Sequence, residues 1–320
     1  SYGEPIDQAY ANMRNRWEPL VEATQVKGDS ETHPVVSPDD PFADYETWEG
    51  NIGRSEIDRI EKINTEGDCA NDENYKCYRY KKSEEHRYKG SYVRPALRRG
   101  LEIEKKIGVN PYKFGVIGST DNHTALAASA EDNFFGKFVD SEPGPGRMSN
   151  CMAGCERPDA EGSGDLWRNW LITASGYAAV WARENTREEI FDAFKRKETY
   201  ATTGPRIAVR FFGGWNFSEE DALKPNFVDT GYSKGVPMGS DFGERGKNKK
   251  PNFLIMASKD PNGANIERVQ IIKGWIDSYG RSLEKVYDVV VSDDAGQSTV
   301  DVDKASYDNS IGQPYITTFW

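Results

Sequence analysis

No apolar run in these 320 residues approaches the ~18 residues of a membrane-spanning helix, so no such span is expected. Positive charge is also in short supply: 41 Lys and Arg against 52 Asp and Glu leave a net charge of −11. Binding to a phosphate backbone requires clustered cations, which argues against a nucleic-acid partner. The densest basic stretch, residues 94–106, is interleaved with apolar residues at helical spacing and reads as a solvated helix face. No Walker-type loop, dinucleotide fingerprint or nucleophile elbow is present, which leaves nucleotide-cofactor enzymes and serine hydrolases without support. The sequence opens on Ser1 with neither a Met nor a signal peptide, and residues 316–320 read as a strand cut in mid-course. The expectation is a fragment or a processed piece.

Cysteine is scarce. The four residues form two local pairs, Cys69/Cys77 and Cys151/Cys155, each in a loop rich in Gly, Asp and Asn. Two readings compete: disulfides stapling long loops in an oxidising compartment, and a zinc site made of four thiolates. Neither pair has the two-residue gap of a zinc knuckle, so disulfides are expected, and with them a periplasmic or secreted location.

The length suggests two domains. Residues 18–26 form a short apolar run with β-formers and read as a buried strand ending in a polar loop. A long segment rich in Pro, Asp and Glu follows, with a short helix expected at 55–63. Periodicity turns helical over 91–107, with Val93, Leu97, Leu101 and Ile107 near one face and Gly108 as the stop. Strands are expected at 114–118 and 178–182. Thr186 and Glu189 form a capping box ahead of a helix whose inner face carries Ile190, Phe191 and Phe194. This alternation predicts α/β architecture with parallel strands over residues 1–204. From Pro205 on, β runs at 207–212, 253–257, 266–272 and 286–291 are separated by Gly, Pro and Asn turns, with no convincing helix. Residues 205–320 are therefore expected to form an all-β, sandwich-like domain.

The three histidines can be weighed singly. His123 stands two residues after Asp121, just past the apolar strand, at the strand end where parallel α/β folds build their sites. In an extended segment residues two apart point to one side, so a carboxylate and an imidazole could reach one zinc, manganese or iron ion. The plainer reading is an Asx-turn in which Asp121 caps the backbone. Glu22 lies inside the first apolar strand, where a carboxylate must be paired or bind a metal. His33 follows in the polar loop and could supply a metal ligand or act as a general acid, although a surface turn explains it more simply. Lys27 offers a cation at a strand end, suited to an oxyanion. Asp29 reads as a turn residue, and His86 as solvent-exposed and inert. Thr203 and Arg206 sit in a turn rich in amides and hydroxyls, which suits an anionic group or merely joins the two domains.

Residues 17–22 (Trp-Glu-Pro-Leu-Val-Glu), 25–34, 115–123 (Gly-Val-Ile-Gly-Ser-Thr-Asp-Asn-His), 131–137, 180–187, 196–206 and 235–239 together resemble a bacterial domain-of-unknown-function family, thirty-six-oh-four in that series. That family is similar to the PHP (polymerase and histidinol phosphatase) metallohydrolases. The resemblance implies the C-terminal part of a distorted (βα) barrel with a cluster of divalent metal ions, in which Asp121 and His123 match the terminal Asp-x-His ligand pair. It leaves the roles of Glu22, Glu31 and His33 open. The family's N-terminal part, with its His-x-His pair, is missing from this sequence, so that portion of the same protein is an expected partner and the fragment alone is expected to be inactive. The expected activity is metal-dependent hydrolysis of a small-molecule phosphoester by activated water. Alternatives are a carbamate, amide or sulfate ester on the same metal site, and a non-catalytic exported ligand-binding protein.

Overall fold

The computed structural model of the chain describes residues 5–26, 28–45, 90–123, 145, 151–153, 167–168, 176–243, 249–301, 303–304 and 306–320. Helix α1 (Gln8–Trp17) starts where the Asp7 carboxylate accepts the Tyr10 amide at 2.7 Å, which satisfies one otherwise orphaned donor. Pro19 cannot continue the helix, and strand β1 (Leu20–Gln25) begins directly after it. Gly28, with φ 102°, turns the chain into β2 (Gly28–Asp29), which folds back antiparallel on β1.

Helix α2 (Val93–Ile107) occupies the stretch the periodicity indicated, and left-handed Gly108 at φ 78° closes it. Strand β3 (Gly115–Gly118) then pairs parallel to β1, from Leu20 opposite Gly115 to Thr24 opposite Gly118. A bulge between Glu22 and Thr24 interrupts that ladder. Two short strands, β4 (Cys151–Ala153) and β5 (Trp167–Arg168), pair with each other. Strand β6 (Tyr177–Val180) passes through helix α3 (Arg187–Lys195) to β7 (Thr199–Thr202), its antiparallel partner. The Thr186 hydroxyl caps α3 by accepting the Glu189 amide at 3.4 Å. The inner face of α3 differs from expectation: Ala193 is fully buried, while Phe191 is 57% exposed.

From residue 208 the chain is mainly β, with β8 (Ala208–Gly214), β9 (Gly235–Pro237), β10 (Asn252–Ser258), β11 (Arg268–Ile276), β12 (Ser282–Val291) and β13 (Tyr315–Phe319). Four of these form one antiparallel sheet in the order β13-β10-β8-β9, and β11 and β12 form a separate hairpin. The region is not all-β. Helices α4 (Glu219–Ala222) and α5 (Phe227–Lys234) lie between β8 and β9. Their apolar residues Ala222 and Phe227 join Phe212, Phe217 and Leu254 in the core of this part. Core burial outweighs the weak helix propensity of the Val, Thr and Gly in α5.

The basic stretch of α2 also departs from the sequence expectation. Arg94 and Arg98 are only 13% and 14% exposed. Arg94 binds Glu31 at 2.7 Å and Asp40 at 2.6 Å, and Arg98 binds Glu284 at 3.3 Å. These two cations point into an ionic seam, and only the remainder of the run is available to solvate the helix.

The chain is thus a mixed α/β molecule with several small sheets, and no sheet closes into a barrel among the described residues. No helix of the described residues is long and apolar enough to cross a membrane. The expected helix at 55–63, His86, Cys69, Cys77 and Cys155 lie outside the described residues, as do the side chain of Cys151 and with it the pairing of the cysteines.

Candidate functional site at the strand ends

Strands β1, β3 and β7 run in one direction. β1 and β3 are hydrogen-bonded in parallel, and the Ser119 amide extends their ladder by donating to the Thr24 carbonyl at 3.0 Å. β7 lies against β3: a Cβ on Gly115 would touch Lys197 and Thr199, and one on Gly118 would stand 2.9 Å from the Thr202 carbonyl oxygen. Both contacts advance together along the two strands, so their C-terminal ends coincide. Glycine at 118 permits this approach, because a side chain there would also press on the Tyr177 carbonyl at 2.8 Å.

Asp121 and His123 follow at that end. They meet, but not by the alternation of an extended strand. Asp121 has φ 46° and His123 φ 59°, so both are left-handed, with buried Asn122 between them. This backbone brings His123 Nε2 within 2.8 Å of Asp121 Oδ1. The imidazole is 53% exposed and the carboxylate 18%. That contact is a hydrogen bond between the imidazole and the carboxylate. Both are donor types that a divalent cation accepts, but a tetrahedral ion about 2.0–2.2 Å from each would set them roughly 3.4 Å apart, so the pair would have to exchange its hydrogen bond for the ion. No set of three His, Cys, Asp or Glu residues is grouped to hold a metal among the described residues.

Glu22 stays close by without joining such a group. One of its carboxylate oxygens is hydrogen-bonded to the Ser119 hydroxyl, two positions before Asp121. The other accepts from the Gln25 side-chain amide at 3.0 Å. Gln25 and Ser119 were not singled out from the sequence. The only signal for them was their polarity at strand ends.

The loop after β2 is held internally. Asp29 is buried and accepts the amides of Glu31 at 2.8 Å and Thr32 at 3.3 Å. Burial pushes its carboxyl up to about 7, against those two amides, which favour the charged form. His33 Nδ1 accepts the Val35 amide at 3.2 Å, and its carbonyl accepts the amides of Val36 and Ser37. Its ring lies 5.7 Å from that of Tyr92. His33 is therefore built into a turn. Lys27 lies outside the described residues.

Thr203 and Arg206 follow β7 directly, so they rise from the strand end beside that of β3. Both are exposed. The Thr203 hydroxyl accepts from Tyr45 at 3.5 Å, and the Arg206 guanidinium lies 5.8 Å from the centre of the Tyr177 ring. The turn binds a carboxylate, but one supplied by the chain itself: the Arg206 amide donates to Asp260 at 2.6 Å. That amide and the amide of Asn262 hold the Asp260 carboxyl below its ordinary range.

Neither a curated protein nor a solved structure matches the chain. A family model does, over residues 1–66 and 52–320, which together span the whole sequence. The chain therefore belongs to the family described as Protein of unknown function (DUF3604).

Proposed function

We propose that the chain is a metal-dependent hydrolase of phosphoesters, with a divalent cation held by Asp121 and His123. The observation that carries this reading is the pairing of the two donors, 2.8 Å apart on left-handed backbone, where the parallel strands β1 and β3 end. Non-glycine residues in that backbone region are costly and concentrate where function requires them. The common direction of β1, β3 and β7 supports a second element of the reading, the C-terminal part of a PHP-like (βα) barrel, whose sites lie at strand C-termini. The four-stranded sheet and the β11–β12 hairpin would then form the sandwich-like domain. A cation there supplies Lewis acidity toward the ester's phosphoryl oxygen. The exposed Arg206 guanidinium and the Thr203 hydroxyl, on the adjacent strand end, bind and orient the anionic group. A periplasmic or secreted location follows from reading the cysteine pairs as disulfides.

The test is metal content and phosphatase activity of the full-length protein and of its Asp121→Ala and His123→Ala variants. Each variant should lose bound metal and at least about a hundredfold in hydrolysis of an aryl phosphate, since both donors serve one cation. Unchanged hydrolysis in both variants would remove the assignment.

A further inference from the structure

Strand β10 ends at Ser258, which pairs with Ala208 at the start of β8. Carrying that antiparallel register two residues further sets Asp260 opposite Arg206, and the two meet: the Arg206 amide donates to Asp260 Oδ2 at 2.6 Å. The loop that presents this carboxylate is braced from within. Asp260 Oδ1 accepts the Asn262 amide at 2.9 Å, and the Asp260 carbonyl accepts the Gly263 amide at 2.9 Å. The Lys259 ammonium gathers the loop by donating to the carbonyls of Asp260, Pro261 and Gly263 at 2.7–3.2 Å. From the far side, the Tyr307 hydroxyl donates to the Asn262 carbonyl at 2.9 Å. The turn that receives the carboxylate has a pliable point, Gly204 at φ 122°, followed by Pro205 with its fixed φ. Just past Arg206, the Ile207 carbonyl is held by the Tyr200 hydroxyl at 2.9 Å.

We infer that Asp260 is a positioning residue for the candidate site: the β10–β11 loop, which belongs to the β part of the chain, fixes the backbone from which the Arg206 side chain takes hold of the substrate's anionic group. This rests on the role proposed above for Arg206. An exposed arginine on a pliable turn loses much conformational freedom when it binds an anion. A charged acceptor on its own amide removes part of that freedom before the anion arrives. The Asp260 carboxylate also repels an incoming anion, so its two effects have opposite signs and can be separated. Asn at this position keeps an acceptor and removes the charge, whereas Ala removes both.

Steady-state hydrolysis of phenyl phosphate by the full-length protein, with calorimetric titration of inorganic phosphate, tests it. Asp260→Ala should raise KM and the phosphate Kd by about three- to tenfold, the range that ordering one long side chain spans, with kcat and metal content retained. Asp260→Asn should bind phosphate at least as tightly as the natural protein, whereas a purely electrostatic role predicts tighter binding in both variants. On an Arg206→Ala background Asp260→Ala should add no further loss, because it acts through that side chain. The inference is overturned if Asp260→Ala leaves both constants unchanged or tightens binding, if it lowers kcat instead of raising KM, if Asn behaves as Ala does, or if the loss persists on the Arg206→Ala background. Phosphate binding without hydrolysis removes the proposed activity and leaves this inference to be decided by the calorimetry. A protein that neither hydrolyses the ester nor binds phosphate overturns both.

Discussion

At the residue scale, Asp29 makes a distinct prediction about pH. Its carboxyl titrates near 3.8 in the unfolded chain and is pushed up to about 7 in the fold by burial. The folded state therefore binds the extra proton between those values, so this residue's contribution is complete below about pH 4 and is lost as pH rises through about 7. The decline is on the order of 4 kcal/mol. Asn at position 29 keeps one oxygen for the Glu31 amide, gives up the longer bond from the Thr32 amide, and cannot ionise. Urea midpoints across that pH range should fall in the natural chain and stay level in Asp29→Asn, and parallel slopes would contradict the assignment. Asp121 and His123 were legible as a pair from their spacing. The left-handed backbone that brings them together was signalled only weakly, by the preference of Asp, Asn and His for that region over other non-glycine residues. His33 was legible as a polar group near a strand end. That its Nδ1 caps the Val35 amide depends on a turn that no local pattern specifies.

At the scale of elements, α2 and β3 were readable because long periodicity and a glycine stop are local signals. Helix α4 had a readable signal in Ser218 and Asp221, whose side chains and amides form a reciprocal cap, but four residues are too few to establish a period. Helix α5 forms because Phe227 enters the core and Gly231 lets the Phe212 ring approach, with 2.5 Å left to a Cβ. The meeting of β3, β6 and β7 depends on Gly176 in the same way. A methyl group there would fall 2.2 Å from the Thr202 carbonyl oxygen and 2.7 Å from the Thr24 methyl. The backbone oxygen cannot swing away as a long side chain would. Gly176→Ala should thus cost roughly 1–3 kcal/mol, read as a lower denaturant midpoint. A midpoint equal to that of the natural chain would mean the strands do not meet as described.

At the scale of the molecule, the β11–β12 hairpin packs on α2 and on Phe42, and one carboxylate anchors its polar contact with the first part of the chain. Glu284, 10% exposed, accepts from the Ser37 hydroxyl at 2.7 Å and pairs with Arg98 at 3.3 Å and Arg94 at 3.9 Å. No periodicity could have indicated a bond between residues 247 positions apart. Glu284→Ala would leave the largely buried Arg98 with only the Val36 carbonyl, while Arg94 keeps Glu31 and Asp40, and should lower unfolding free energy by about 1–3 kcal/mol. An unchanged midpoint in guanidinium chloride would show the seam to be idle. The left-handed turn at the strand ends has a different consequence for the whole. Asp121 and His123 each hold a backbone conformation that glycine adopts freely, at roughly 1 kcal/mol apiece. Net stabilities of folded domains are only about 5–15 kcal/mol. Replacing either residue by glycine would relax the backbone but delete the hydrogen bond between the two side chains, so the two effects on folding oppose each other, and in the proposed site a cation ligand would be lost as well.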